Sequence, residues 1–85
     1  MTEDLPSNFQ LRFAGLPQSV RETLVLIARS SQDARVTVEQ HGELLRTSIA
    51  VVDADFGEAV RIEMGWCLER MDDPATVEWV AAQRR

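Results

Sequence analysis

The sequence predicts an α+β fold: a small antiparallel sheet with two or three helices packed on one face, as in an open-faced sandwich. Apolar and polar residues alternate over residues 9–13 and again over residues 35–39, which is typical of half-buried strands. An apolar stripe with helical spacing lies between these segments, and a Gly follows the second segment at a predicted turn. We therefore expect one α+β domain over residues 9–85, preceded by a flexible tail over residues 1–8.

The first predicted strand covers residues 9–14, and a helix follows it. Three apolar side chains share one side of this strand: Phe9, Leu11 and Phe13. Ser19 and Glu22 then match a capping box, in which each side chain bonds a free backbone N–H of the first helical turn. The helix is predicted to end near Ser30 and Ser31, because serine competes for backbone hydrogen bonds. Its inner face carries Val20, Leu24, Ile27 and Ala28.

A β-hairpin is predicted over residues 34–47. Apolar and polar side chains alternate in its first strand, and β-branched residues favour the second. His41 and Gly42 form the turn, since Gly reaches the positive φ that tight turns require. Residues 48–56 stay open between strand and helix, because three of their apolar side chains also fit a helical stripe: Ile49, Val52 and Phe56.

Residues 58–71 fit two patterns. Strict alternation predicts a strand through Val60, Ile62, Met64 and Trp66. Helical spacing instead predicts an inner face made by Val60, Met64, Cys67 and Met71. The helix is favoured, because the segment is much longer than a usual strand of about 5–6 residues. Gly65 disfavours the helix, since a glycine inside a helix costs about 1 kcal/mol of stability.

The last element is predicted to be a helix from Pro74 towards Gln83. Asp73 is the expected N-cap, and proline suits the first helical position because the missing N–H would be unpaired there anyway. The inner face of this helix is predicted to carry Val77, Val80 and Ala81.

Composition and charge exclude several classes of function. The chain has 85 residues and a net charge of −5, so we expect it to repel nucleic-acid phosphates. Its apolar runs are far shorter than the ~20 residues that span a membrane, and the first residues lack a signal-peptide pattern, so a cytoplasmic protein is expected. All nine basic residues are arginine, which fits the codon bias of a GC-rich bacterial genome.

No catalytic residue, cofactor or metal site is predicted. One cysteine and one histidine are too few for an internal disulfide or a four-ligand zinc site. His41 lies in the predicted turn without a fixed partner, and the apolar neighbours of Cys67 favour a buried, unreactive thiol with a raised pKa. Three nearby carboxylates lack the ligand spacing of a calcium loop: Asp53, Asp55 and Glu58.

The two tryptophans are the residues singled out for partner binding. Tryptophan is enriched at the energetic centres of protein interfaces, although in a small domain it also fills the core. We expect at least one of the two to be partly exposed and to contact a partner: Trp66 or Trp79.

Residues 36–42 form a predicted strand and turn, Ser48 follows, and residues 57–62 are consistent with a later strand. In this order the chain resembles the histidine-phosphocarrier family of the bacterial sugar phosphotransferase system, whose elements run strand, helix, strand, strand, short helix, strand, helix. The resemblance implies that Ser48 takes the place of the family's regulatory serine and is phosphorylated. The family's phosphoacceptor histidine has no counterpart in residues 15–21, so the resemblance implies no phosphocarrier activity.

The function expected from these observations is that of a non-catalytic bacterial regulatory or adaptor domain. It acts by binding another protein, and its acidic charge favours a partner with a basic surface over nucleic acid or membrane. Two alternatives stay open. One is a phosphocarrier-like protein that responds to phosphorylation of Ser48. The other is a regulatory domain that binds a small molecule between a helix and the sheet edge.

Overall fold

The computed structural model describes residues 6–83, which form five helices and contain no strand. The predicted α+β fold with an antiparallel sheet is therefore wrong, and so is the strand order implied by the resemblance to the phosphocarrier family. Within the described residues no helix is long and apolar enough to cross a membrane. The helices are α1 (Ser7–Ala14), α2 (Gln18–Gln32), α3 (Val38–Phe56), α4 (Glu58–Arg70) and α5 (Pro74–Ala81).

The helices pack around one apolar core. α2 packs against α3 and α5, α3 packs against α4, and α1 lies on α4. Aromatic ring contacts also join α1 to α5. Every helix contributes to the core, whose buried apolar residues are Phe9, Phe13, Leu16, Val20, Leu24, Ile27, Ala28, Val52, Met64, Cys67 and Val80.

α1 replaces the first predicted strand. Phe9 and Phe13 are four residues apart, so they share one side of a helix as well as one side of a strand, and both are buried. Leu11 distinguishes the two structures: a strand would bury it beside the phenylalanines, whereas in α1 it is 73% exposed. Ser7 and Asn8, which the predicted tail included, form the start of α1, while residues 1–5 of that tail lie outside the described residues.

α2 confirms the predicted helix and its inner face. The four residues of the expected stripe are buried. The predicted capping box is wrong, because the N-cap is Pro17, two residues before Ser19, and no side chain makes a hydrogen bond at the cap. Ser19 is therefore already helical, and its carbonyl accepts a hydrogen bond from Thr23 Oγ1. The helix ends at Gln32, close to the predicted serines.

α3 replaces the predicted hairpin and its turn. A capping box starts this helix: Thr37 Oγ1 accepts from the backbone N–H of Gln40 at 3.0 Å, and Gln40 Oε1 accepts from the N–H of Thr37 at 2.9 Å. His41 and Gly42 consequently lie in the first turns of a helix. Val38, expected to face the core from a strand, is 91% exposed, so the alternation that predicted this strand reflects no buried face.

Residues 48–56, which the sequence left open, belong to α3, with Ser48 and Val52 buried on one side. Gly57 then separates α3 from α4. Its φ of 94° lies in the left-handed region that side chains disfavour, so glycine at this position lets one helix end and the next begin within a single residue.

α4 confirms the helical interpretation of residues 58–71. Met64 and Cys67 are buried, whereas Ile62, which a strand would bury beside Met64, is 55% exposed. Gly65 has open space where a Cβ would lie, so its presence reflects no close approach of another chain segment.

α5 confirms the predicted last helix. Asp73 Oδ1 accepts from the backbone N–H of Ala75 at 3.2 Å, and Pro74 occupies the first helical position. Val80 is buried as predicted, Thr76 is also buried, and the other two predicted inner residues are partly buried.

Candidate functional site

The first candidate site surrounds Trp66 on α4. Two guanidinium groups lie over its indole ring: the Cζ of Arg12, from α1, is 3.7 Å from the ring centroid, and the Cζ of Arg70, one turn further along α4, is 3.9 Å away. A cation over an aromatic face is attracted by the negative potential of the ring. The indole is half-buried, so part of it remains in contact with solvent. We call Arg12, Glu63, Trp66 and Arg70 the Trp66 face.

A two-pronged ion pair fixes Arg12 on this face. Arg12 Nε donates to Glu63 Oε2 at 2.6 Å, and Arg12 Nη2 donates to Glu63 Oε1 at 3.0 Å. The hydrogen bond from Arg12 lowers the pKa of Glu63, and the same bond raises the pKa of Arg12. Both Glu63 and Trp66 lie on α4. The ion pair with Glu63 and the contact with the indole ring therefore both hold the guanidinium of Arg12 against this helix.

The two predicted partner-binding tryptophans belong to one aromatic cluster, made by Phe9, Phe13, Trp66 and Trp79. Phe9 stacks on Trp66 with ring centroids 5.9 Å apart, and Trp79 meets Phe9 edge-on at 5.9 Å. Trp79 also meets Phe13 edge-on at 5.4 Å. Both indoles are half-buried, so they combine a packing role with exposed surface; partner binding by either one stays a prediction.

A small depression lies beside the Trp66 face, where α1, α4 and α5 meet. Its volume is about 140 Å³, which is close to the ~150 Å³ of an apolar cavity that holds benzene. The depression therefore has room for one apolar side chain. Its lining residues are Pro6, Asn8, Phe9, Trp66, Arg70 and Thr76.

The second candidate site, the central cleft, lies among α2, α3, α4 and α5. Its volume is about 290 Å³, twice that of the depression. Its apolar walls are Ile27, Leu45, Ile49, Leu68, Met71 and Val77, and its polar groups are Ser31, His41 and Asp72.

His41 lies on this cleft and not in a turn, contrary to the prediction. It is half-buried on α3, and its Nδ1 is 3.1 Å from Ser30 Oγ on α2. The ring nitrogen donates or accepts in this bond depending on the tautomer. The sequence shows no pairing signal for these two residues, because they lie on different helices.

Cys67 is buried in the core as predicted. Burial, together with the nearby negative charge of Glu63, raises the pKa of its thiol to about 11. Since the thiolate is the reactive form, the thiol is protonated and unreactive at neutral pH.

The three acidic residues considered for calcium lie at the α3–α4 corner. Asp53 Oδ1 is 3.4 Å from Arg61 Nε, and Glu58 Oε2 is 3.5 Å from Arg61 Nη2. The guanidinium therefore already supplies positive charge to two of the three carboxylates, and Asp55 is exposed on α3. Within residues 6–83 no three His, Cys, Asp or Glu residues are grouped so that they could hold a metal ion.

Ser48 lies in the middle of α3 with only 8% of its surface exposed. A kinase needs the hydroxyl in solvent, so phosphorylation here would require α3 to move away from its neighbours. Phosphorylation of Ser48 stays a prediction.

Comparison with known proteins leaves these two sites without a precedent. No family model, no curated protein and no solved structure matches the chain. Function is therefore inferred from the Trp66 face and the central cleft themselves.

Proposed function

We propose that this protein is a non-catalytic bacterial regulatory or adaptor domain that binds another protein through the Trp66 face. The observation that supports the proposal is the partly buried indole of Trp66 with the guanidinium groups of Arg12 and Arg70 over its ring. Tryptophan and arginine are among the residues most enriched where a few side chains provide most of an interface's binding energy.

The arrangement of these side chains favours binding further. Arg12 is already ordered by Glu63 and by the indole, so a partner would not have to immobilise it, and less conformational entropy is lost on association. The depression beside Trp66 accepts one apolar side chain of the partner. Ile62, one turn before Trp66 on α4 and 55% exposed, extends the apolar part of the contact.

The charge of the chain favours a basic partner. A net charge of −5 attracts such a partner over long distances and raises the rate of encounter. The two arginines of the face do not oppose this attraction strongly, because Arg12 is paired with Glu63 and Arg70 lies 3.5 Å from Glu69 Oε1. We place this activity in the cytoplasm, as an acidic chain with one free thiol suggests.

The test compares two surface substitutions of the same chemistry. Ile62→Glu introduces a charge beside Trp66, whereas Val51→Glu introduces the same charge on α3; the parent side chains are 55% and 50% exposed, so neither change disturbs the core. Tagged parent and variants are used to capture proteins from a lysate of the source bacterium, and captured proteins are quantified by mass spectrometry.

We expect the parent and Val51→Glu to capture equal amounts of one protein, and Ile62→Glu to capture about tenfold less of it. The reason is that a charge placed in an apolar contact costs more than about 1 kcal/mol. The affinity of that protein in purified form should fall in the same order. Equal capture by both variants, or no protein enriched by the parent, would contradict binding through the Trp66 face.

A further inference from the structure

The central cleft is large enough for a compact small molecule. An apolar cavity of ~150 Å³ holds the six carbons of benzene, so the cleft's volume of about 290 Å³ has room for about ten non-hydrogen atoms. Six aliphatic or thioether side chains from four structural elements form its walls. Ile27 is almost fully buried, while most other wall residues are half-buried, so the cleft runs from the core to the surface.

The polar groups of the cleft leave mainly acceptors for a ligand. Ser31 donates its hydroxyl proton to the carbonyl of Ala28 at 2.8 Å, so its oxygen is left as an acceptor. His41 Nδ1 is occupied by Ser30 Oγ, so Nε2 is left to donate or to accept, depending on the tautomer. Asp72, in the connection from α4 to α5, makes no side-chain hydrogen bond or ion pair with any of residues 6–83.

We propose that the central cleft binds a small primary amine with an apolar body. The apolar body packs against Ile27, Leu45 and Val77, and the ammonium group donates to the carboxylate of Asp72. A carboxylate or phosphate ligand is disfavoured, because Asp72 and the net charge of −5 both repel it. Charge complementarity and volume together define this class of ligand.

The site is independent of the Trp66 face. None of the residues lining the cleft belongs to that face or to the depression beside it. The loss of partner binding in Ile62→Glu therefore has no bearing on the amine site, and each proposal fails or stands by its own experiment.

The experiment uses three probes that share one apolar body and differ in the head group: 3-phenylpropylamine, 3-phenylpropan-1-ol and 3-phenylpropionate. Each is titrated into the full chain, and backbone amide NMR shifts give its dissociation constant and the residues affected. We expect shifts at the cleft and binding of the amine about fivefold tighter than the alcohol, with the carboxylate weakest of the three.

Two substitutions separate the apolar contribution from the charged one. Asp72→Asn should reduce the preference for the amine over the alcohol to less than about twofold, because the ion pair is lost while the walls are unchanged. Leu45→Phe fills the cleft and should abolish binding of all three probes. Its matched control is Leu26→Phe, at a position 59% exposed on α2 and absent from the cleft lining.

If circular dichroism shows that Leu45→Phe does not fold, Val77→Phe makes the same test from another lining residue, on α5. Binding of none of the probes to the parent would overturn the site. Binding that Asp72→Asn leaves unchanged, or equal binding of amine and carboxylate, would overturn the assignment of an amine as the ligand class.

Discussion

The aromatic cluster and the central cleft use the same kind of apolar surface in opposite ways. In the cluster, α1 lays two phenylalanines against two tryptophans, and neighbouring ring centroids lie 5.4–6.3 Å apart, at normal distances for packed rings. In the cleft, aliphatic side chains from four elements face one another across about 290 Å³. α1 thus completes the core by covering the two tryptophans, whereas none of the described residues fills the central cleft.

Breaking the aromatic cluster should have the largest effect on stability. Phe9 is 1% exposed and its ring contacts three other rings, so Phe9→Ala should lower the free energy of unfolding by about 3–5 kcal/mol. Urea denaturation followed by circular dichroism measures this change. Leu11→Ala, on the outer side of the same helix, is the control and should change stability by less than about 0.5 kcal/mol. Similar losses for both would mean that α1 does not bury the side described here.

Two leucines allow the same substitution to be made in the packed core and beside the central cleft. Leu24 is fully buried in α2, so Leu24→Ala should cost about 2–5 kcal/mol. Leu45 is half-buried and borders the cleft, so Leu45→Ala removes fewer contacts and should cost about 1 kcal/mol. Thermal and urea unfolding measure both. Equal losses would show that the cleft closes in solution.

The sequence predicts three of the five helices and misassigns the other segments for identifiable reasons. Phe9 and Phe13 satisfy both a period of two and a period of 3.6, and only the exposure of Leu11 separates them. That exposure depends on which surface α1 meets, which is not encoded within residues 7–14. The sequence does carry a signal for the start of α3, since Thr37 followed by Gln40 forms a capping box.

The candidate sites are predictable to a similar extent. Residue type singles out both tryptophans, Trp66 and Trp79, and both are partly buried, while partner binding by either one stays a prediction. The pairing of Arg12 with Glu63 spans 51 residues and has no local signature, so the guanidinium over the indole emerges only from the packing of α1 on α4. The central cleft is equally invisible in the sequence, because helices far apart in the chain supply its walls.

The smallest expected effect concerns the Arg12–Glu63 ion pair, which joins α1 to α4, and the pH dependence of stability reveals it. The hydrogen bond from Arg12 lowers the pKa of Glu63 in the folded protein. The stabilisation from this pair is therefore fully present above the ordinary pKa of a glutamate and is lost as the pH falls through the lowered pKa of Glu63. The free energy of unfolding of the parent, measured in urea, should consequently fall between neutral and acidic pH.

In Glu63→Gln this contribution is absent at every pH, so the variant should be less stable than the parent at neutral pH and should approach it in acid. Glu69→Gln is the matched control on the same helix, since Glu69 is exposed and lies 3.5 Å from Arg70 without the two-pronged bond. It should keep the parent's acid dependence, including the part that comes from Asp33, whose pKa the Arg35 side chain also lowers. If Glu63→Gln and the parent lose stability in parallel as the pH falls, the pair does not hold α1 on α4, and ring packing alone attaches that helix.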